Sequence, residues 1–409
     1  MKTMLPLRYP SVNWVDGMKI SREHFIAQEN ARIDRFRDTM AFNTGSKGFG
    51  LLPPARDNEP AFRLVIETGE LILSHCRAVT SGGLRVEIMP GFAEPLRLQL
   101  QETLRRQNLE NAAVPLDVIL TGDPWGHSPF GEMDPAETPP RQPYTQASLR
   151  LEIVPPGQTK LTRHNGFALQ LGVLTYSEGA WVLDERYIPA CARIHAHPAL
   201  SEHYRKWADD ITRLGEYCLQ IYARHDRLQL QDLQIDIRRW TLEIMQFMSD
   251  TQDGFFLLLP DQPPVCFVAY LIRFARNVRV FLRLLPQPED QMLQYLCKHL
   301  YPPGQLTISP SEMSAKLEKP LYCSYDHENL AAVLSELEAY RELLLRIFKK
   351  STELSFRRME DDERHTIVPP AIASSTPAGA PMEGGFTIQE NEEPAAGSNF
   401  LGGLFRTRT

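Results

Sequence analysis

The chain has 409 residues, 43% hydrophobic and 23% charged, the proportions of an ordinary soluble globular protein with room for two or three cores. Its net charge is −7, but residues Met359 to Pro394 alone hold eight acids against one base, so the body is nearly neutral and carries no basic footprint for nucleic acid. No run approaches the roughly 18 uncharged apolar residues of a membrane span, and the first ten residues lack a signal-peptide core. The six cysteines lie 23 or more residues apart without a C-x-x-C pair, which fits reduced thiols in a cytosolic compartment better than a disulfide framework.

In chain order, an arm without periodicity (residues 1–20) precedes a helix over Ser21–Phe42. Ser21 is the N-cap, and Ile26, Ile33, Phe36 and Met40 share one apolar face. From Phe49 to Pro189 the pattern changes to strands: Ala61–Glu67, Glu70–Val79, Leu84–Met89, Val114–Thr121, Ser148–Val154, Phe167–Tyr176 and Trp181–Asp184, with turns at Ser81-Gly82-Gly83 and Ser177-Glu178-Gly179. Gly122 to Pro143, with six prolines, is expected to be a loop.

At Pro198 the periodicity becomes helical. Leu200, Tyr204, Trp207, Ile211, Leu214, Cys218 and Ile221 mark one helix; Leu230 to Phe247, Val268–Leu285, Glu289–Leu300 and a helix from near Asp326 to Phe348 follow. Trp207 and Trp240 belong to packed stripes. The expected fold class is α+β: an N-terminal β-sandwich over residues 21–197 with its leading helix, then an antiparallel helical bundle over 198–356. Residues 357–398 are too rich in Pro, Ala, Gly, Ser and Glu to offset their ordering entropy and read as a disordered acidic linker. Residues 399–409 close the sequence with Phe400, Leu401, Leu404 and Phe405 around two glycines, an apolar peptide suited to capture by a groove on another protein.

Chemistry is sparse. There is no phosphate-binding G-x-x-x-x-G-K-[ST], no H-E-x-x-H and no G-x-S-x-G. Gly45 to Gly50 runs into Leu51-Leu52-Pro53-Pro54, which cannot begin a phosphate-cradling helix. His195-Ala196-His197, with His203, has metal-like spacing but lacks further ligands nearby. Asp123, Trp125, His127 and Asp134 lie in the proline-rich stretch with nothing to orient them for acid–base work. No catalytic residue, metal or cofactor is expected.

The stretch Val12-Asn13-Trp14-Val15-Asp16-Gly17-Met18-Lys19-Ile20-Ser21-Arg22-Glu23-His24-Phe25 resembles the opening signature of the TssK (ImpJ/VasE) family of type VI secretion baseplate proteins, with Gly50-Leu51 following the helix. A second match runs from Trp181 through Tyr187-Ile188-Pro189-Ala190-Cys191 to His197-Pro198-Ala199-Leu200. The resemblance implies a shoulder like that of phage receptor-binding proteins, a helical neck, a homotrimer, attachment to TssF-like and TssG-like subunits, and a link to a membrane-complex protein. It implies a cytoplasmic place beside the inner-membrane-docked baseplate, without membrane insertion. The implied partner-binding residues are Trp14, Asp16, Gly17, Met18, His24 and Phe25. After about Phe356 no second folded domain is expected where the family's head would follow, so the sequence reads as a divergent form.

Two roles stay open for the arm's aromatics: folding back over the β-domain, or filling a groove on a partner. Gly17 is expected at positive φ. Two other functions are carried: a phage tail receptor-binding or adhesin-like protein, and a carbohydrate-active β-sandwich enzyme, which lacks an evident carboxylate pair.

Overall fold

The computed structural model describes residues 5–56, 59–110, 114–156, 166–224, 232–286, 289–300 and 308–356. The linker 357–398 and the apolar peptide 399–409 lie outside the described residues. The chain is α+β and forms two compact units, one from residues 1–210, 251–277 and 315–343, the other from 211–250, 278–314 and 344 onwards.

The first unit opens with α1 (Arg22–Thr44) and two antiparallel sheets. In the first sheet, β3 (Glu70–Val79) pairs with β1 (Gly50–Leu51), β2 (Phe62–Glu67), β4 (Arg85–Ile88) and β5 (Leu96–Gln99). The second has the order β7 (Tyr144–Val154), β6 (Leu116–Phe130), β8 (Ala168–Ser177), β9 (Ala180–Leu183). Two tight hairpins use the positive-φ pairs Thr68-Gly69 and Glu178-Gly179, whose twist suits right-handed strands. Leu71 of the first sheet and Leu116, Val118, Ile153 and Leu174 of the second meet Leu100 and Leu104 of α2 (Leu100–Arg106) in one buried cluster. Each such side chain contributes roughly 1.5–3 kcal/mol relative to exposure.

Neither β5 nor α2 stands out in the sequence, because the apolar spacing changes from two to four at Leu100, the residue they share in the pattern Leu96, Leu98, Leu100, Leu104.

The proline-rich stretch is not simply a loop: β6 extends to Phe130 and β7 begins at Tyr144. Pairing with β8 ends at Thr121, while pairing with β7 shifts register between Asp123 and Ser128. Beyond Gly122, which still donates to the Phe167 carbonyl at 2.9 Å, no described strand pairs with the far edge of β6, and prolines 124 and 129 sacrifice little hydrogen bonding there.

The helices are α3 (Pro198–Arg224), α4 (Asp232–Asp253), α5 (Pro264–Arg283), α6 (Glu289–Leu300), α7 (Pro310–Glu318) and α8 (Leu330–Ser351). The short α7 was not anticipated. Within the first unit, Tyr204 stacks on Phe255 at 5.2 Å and donates to its carbonyl at 2.9 Å. Trp207 is buried there. In the second unit Trp240 donates to the Val278 carbonyl at 2.9 Å and lies 5.0 Å from the Phe348 ring. Phe356 stacks on Tyr295 at 5.1 Å. All six cysteines are free thiols, and burial pushes Cys76 up to about 12, as befits an inert core group.

Candidate partner interface

The face that α1 buries is turned away from the one its apolar residues suggest, leaving Ile26 and Ile33 half-buried at its margin. Ala31, Asp34 and Arg37 are buried, whereas Phe36 is 72% exposed and Met40 is also exposed. The cause lies in what this helix covers. Residues 5–12 of the arm run back along it and present backbone amides, which need acceptors. Asp34 accepts from the Arg8 and Tyr9 amides, the latter at 2.9 Å, and Val12 donates to Gln28 Oε1 at 3.0 Å. Arg37 donates to Asp34 at 2.7 Å and to the Pro6 carbonyl at 2.8 Å. Burial pushes the Asp34 carboxyl up, but the Tyr9 and Arg8 amides and Arg37 outweigh it and hold the group below its usual range.

Two other segments complete this clamp. Trp125 of β6 lies 5.2 Å from the Tyr9 ring, with the Arg8 and Arg37 guanidinium carbons 5.4 and 5.8 Å from its centroid. His127 Nε2 is 3.0 Å from Asn30 Oδ1 on α1. Gly83, at φ +87 in the turn before β4, approaches so closely that a Cβ would collide with the Arg37 carbonyl. Trp125 and His127 therefore serve the seating of α1 and the arm. Asp123 and Asp134 accept from nearby backbone amides, at Trp125 and Ala136 respectively, and form no acid–base pair.

The second half of the arm behaves differently. Trp14 is 44% exposed, with its ring 6.2 Å from His24 and 6.1 Å from Phe25. Asp16 is exposed, Met18 is half-buried, and Gly17 takes φ +78 in a turn closed by the Met18 amide on the Val15 carbonyl at 3.3 Å. His24 Nδ1 accepts the Ser21 amide at 3.1 Å, the reciprocal half of a capping box, and so fixes the helix start. Phe25 is 62% exposed. Phe36 is eleven residues further on, about three turns, so both rings sit on one line opposite Asp34. The structure thus brings Trp14, His24 and Phe25 together and adds Phe36, which sequence reasoning had counted with the helix's apolar face. Phe400, Leu401, Leu404 and Phe405 lie outside the described residues.

Gly50-Leu51, which follows the first stretch of family resemblance, meets the second stretch. Leu51 donates to the Ala190 carbonyl at 2.7 Å and accepts from Ala192 at 2.8 Å. Gly50, at φ +113, leaves no room for a Cβ against Ala190. Buried His327 bridges the Phe49 carbonyl, 2.8 Å from Nε2, and the Tyr325 hydroxyl, 2.7 Å from Nδ1.

The fold has a solved counterpart. The chain is similar to a crystal structure of TssK, at 16% identity and a TM-score of 0.50, over 81% of this chain and 69% of that one. It has the TssK fold. It is also similar to TssK from the type VI secretion system of EAEC in complex with a nanobody (14% identity, TM-score 0.48, 79% of this chain and 99% of that one). A third likeness is to a chain of the baseplate complex from the type VI secretion system (13% identity, TM-score 0.49, 82% and 99%). No family model and no curated protein matches the sequence.

Among the described residues no group of three or more His, Cys, Asp and Glu could hold a metal ion. His195 lies 3.4 Å from Ser201, His203 lies 3.5 Å from Glu338, and His197 is packed beside Phe62, where burial pulls its pKa down to about 4. Among the described residues no helix is long and apolar enough to cross a membrane.

Proposed function

We propose that the chain is a structural baseplate subunit of a type VI secretion machine, a TssK-family protein that works as a homotrimer. In this reading the two sheets form a sandwich shoulder and the helices from Pro198 a bundle neck. TssF-like and TssG-like subunits bind the outward half of the arm through Trp14, Met18 and Phe25, with Asp16, Gly17 and His24 setting its turn and helix start and Phe36 extending the contact. The segment Phe400, Leu401, Leu404, Phe405 connects the baseplate to a membrane-complex protein, on the cytoplasmic side.

The observation that supports this most is the shared TssK fold. The exposed aromatics support the choice of surface: large apolar side chains held outward are the kind of anchor interfaces use. The test is co-purification of the tagged chain with TssF-like and TssG-like partners. W14A/F25A/F36A should lose the partners while light scattering still reports a trimer. A parent protein that stays monomeric, or a triple variant that keeps its partners, overturns the assignment.

A further inference from the structure

A cleft of about 690 Å³, within the range of ligand sites, opens in the first unit between the loop after β9, the first turns of α3 and one face of α8. Its α8 wall runs from Ala331 to Glu342, a rise of about 16 Å, so a helical segment of three turns matches its length. Along that wall Ala332, Ser335 and Ala339 are exposed, and Ala199 lines the cleft from α3. Such short side chains let a second backbone approach closely.

The charges of this cleft are not balanced within the chain. Asp184 accepts from Arg186 at 3.1 Å, while Arg341 is shared, donating to Glu338 at 2.6 Å and to Asp210 behind it. His203 lies 3.5 Å from Glu338, but burial lowers its pKa from the ordinary histidine value, so at pH 7 it adds no charge. Lys206, exposed one turn further along α3, adds one cation near Glu338. Glu185 in the loop and Glu342 on α8 are both exposed and have no ion-pair or hydrogen-bond partner among the described residues. Five carboxylates thus stand against three cations. An acidic or purely apolar partner would leave Glu185 and Glu342 desolvated and unpaired, which is costly. A basic partner replaces that cost with charge-assisted hydrogen bonds, and the alkyl stems of its Arg or Lys side chains cover the alanines.

We propose that this cleft is a docking site for a basic helix of a partner protein. Three turns of that helix lie along α8, with arginine or lysine side chains paired to Glu185 and Glu342 and small or apolar side chains over Ala332, Ser335 and Ala339. The site rests on the shape and charge of the cleft, independently of the baseplate reading.

The test is fluorescence anisotropy of two labelled, alanine-based helical peptides of three turns, one with an arginine in each turn and one with a glutamate in each turn, titrated with the full chain. The arginine peptide should bind saturably, and the glutamate peptide about tenfold more weakly. E185K/E342K, at two exposed positions, should reverse that preference while circular dichroism stays unchanged. Absence of saturable binding, equal affinity for the two peptides, or a preference that E185K/E342K leaves in place would overturn the proposal. If a second copy of the chain fills the cleft instead, the parent binds neither peptide and E185K/E342K lowers the mass seen by light scattering, which overturns it as well. Co-purification with TssF-like and TssG-like subunits tests the baseplate reading separately.

Discussion

Replacing Asp34 with alanine should release the N-terminal arm and destabilise the protein by about 3–5 kcal/mol, the usual cost of breaking a buried ion pair from one side. Asp34 is 0% exposed and its partner Arg37 3%. The lost carboxylate leaves that guanidinium without its acid, and leaves the Arg8 and Tyr9 amides without an acceptor. A fully buried orphaned amide would cost roughly 1–3 kcal/mol, but these two are only partly buried and the arm can lift into water, which caps the sum. D34N keeps the shape and one acceptor oxygen and should fall between parent and D34A.

Urea unfolding measures the loss, and hydrogen exchange at the Arg8, Tyr9 and Val12 amides tells arm release from global unfolding. Acid should mimic the substitution. The native Asp34 pKa lies below the unfolded value of 3.8, so the folded protein binds fewer protons there. The contribution is complete above about pH 4 and disappears as pH falls through the native value. The clamp account is wrong if D34A unfolds within about 0.5 kcal/mol of the parent with those amides still protected, since that is the range of ordinary surface changes.

Three further substitutions probe how α1 is seated and how the chain responds to acid. G83A combines a positive φ of +87 with a collision against the Arg37 backbone, whereas Gly69, at φ +82, faces open space. Calorimetry should show G69A losing about 1 kcal/mol and G83A clearly more, and equal losses would remove Gly83 from the seating of α1. Burial holds His197 at about 4 against 6.5 when unfolded, so the unfolded chain protonates first as pH falls. Stability should therefore decline between pH 6.5 and 4, by on the order of 3 kcal/mol from this residue. H197N should flatten that slope in urea titrations, and parallel slopes in parent and variant would exclude it.

What the sequence determined by itself was local. Strands β2, β3, β4, β8 and β9 and the helices of the C-terminal half other than α7 follow from spacing and turn residues alone. A Thr-Gly or Glu-Gly pair between apolar runs permits little but a tight hairpin, and leucines at threes and fours permit little but a helix. Trp14, His24 and Phe25 were named as a group by the family resemblance of residues 12–25, not by spacing or periodicity.

Tertiary structure decided which faces are used. Periodicity ranks residues by hydropathy and cannot know that α1 lies against backbone amides, so it could not find that Asp34 and Arg37 face inward while Phe36 faces out. The same limit hid the ribbon of β6 and β7. Proline argues against a strand only where an amide is needed for pairing, and which stretch of β6 is left without a second neighbour depends on where β8 begins, at Ala168 opposite Thr121. Propensity belongs to the segment itself, whereas burial belongs to whatever part of the chain arrives next to it, and at α1 that part is the chain's own arm.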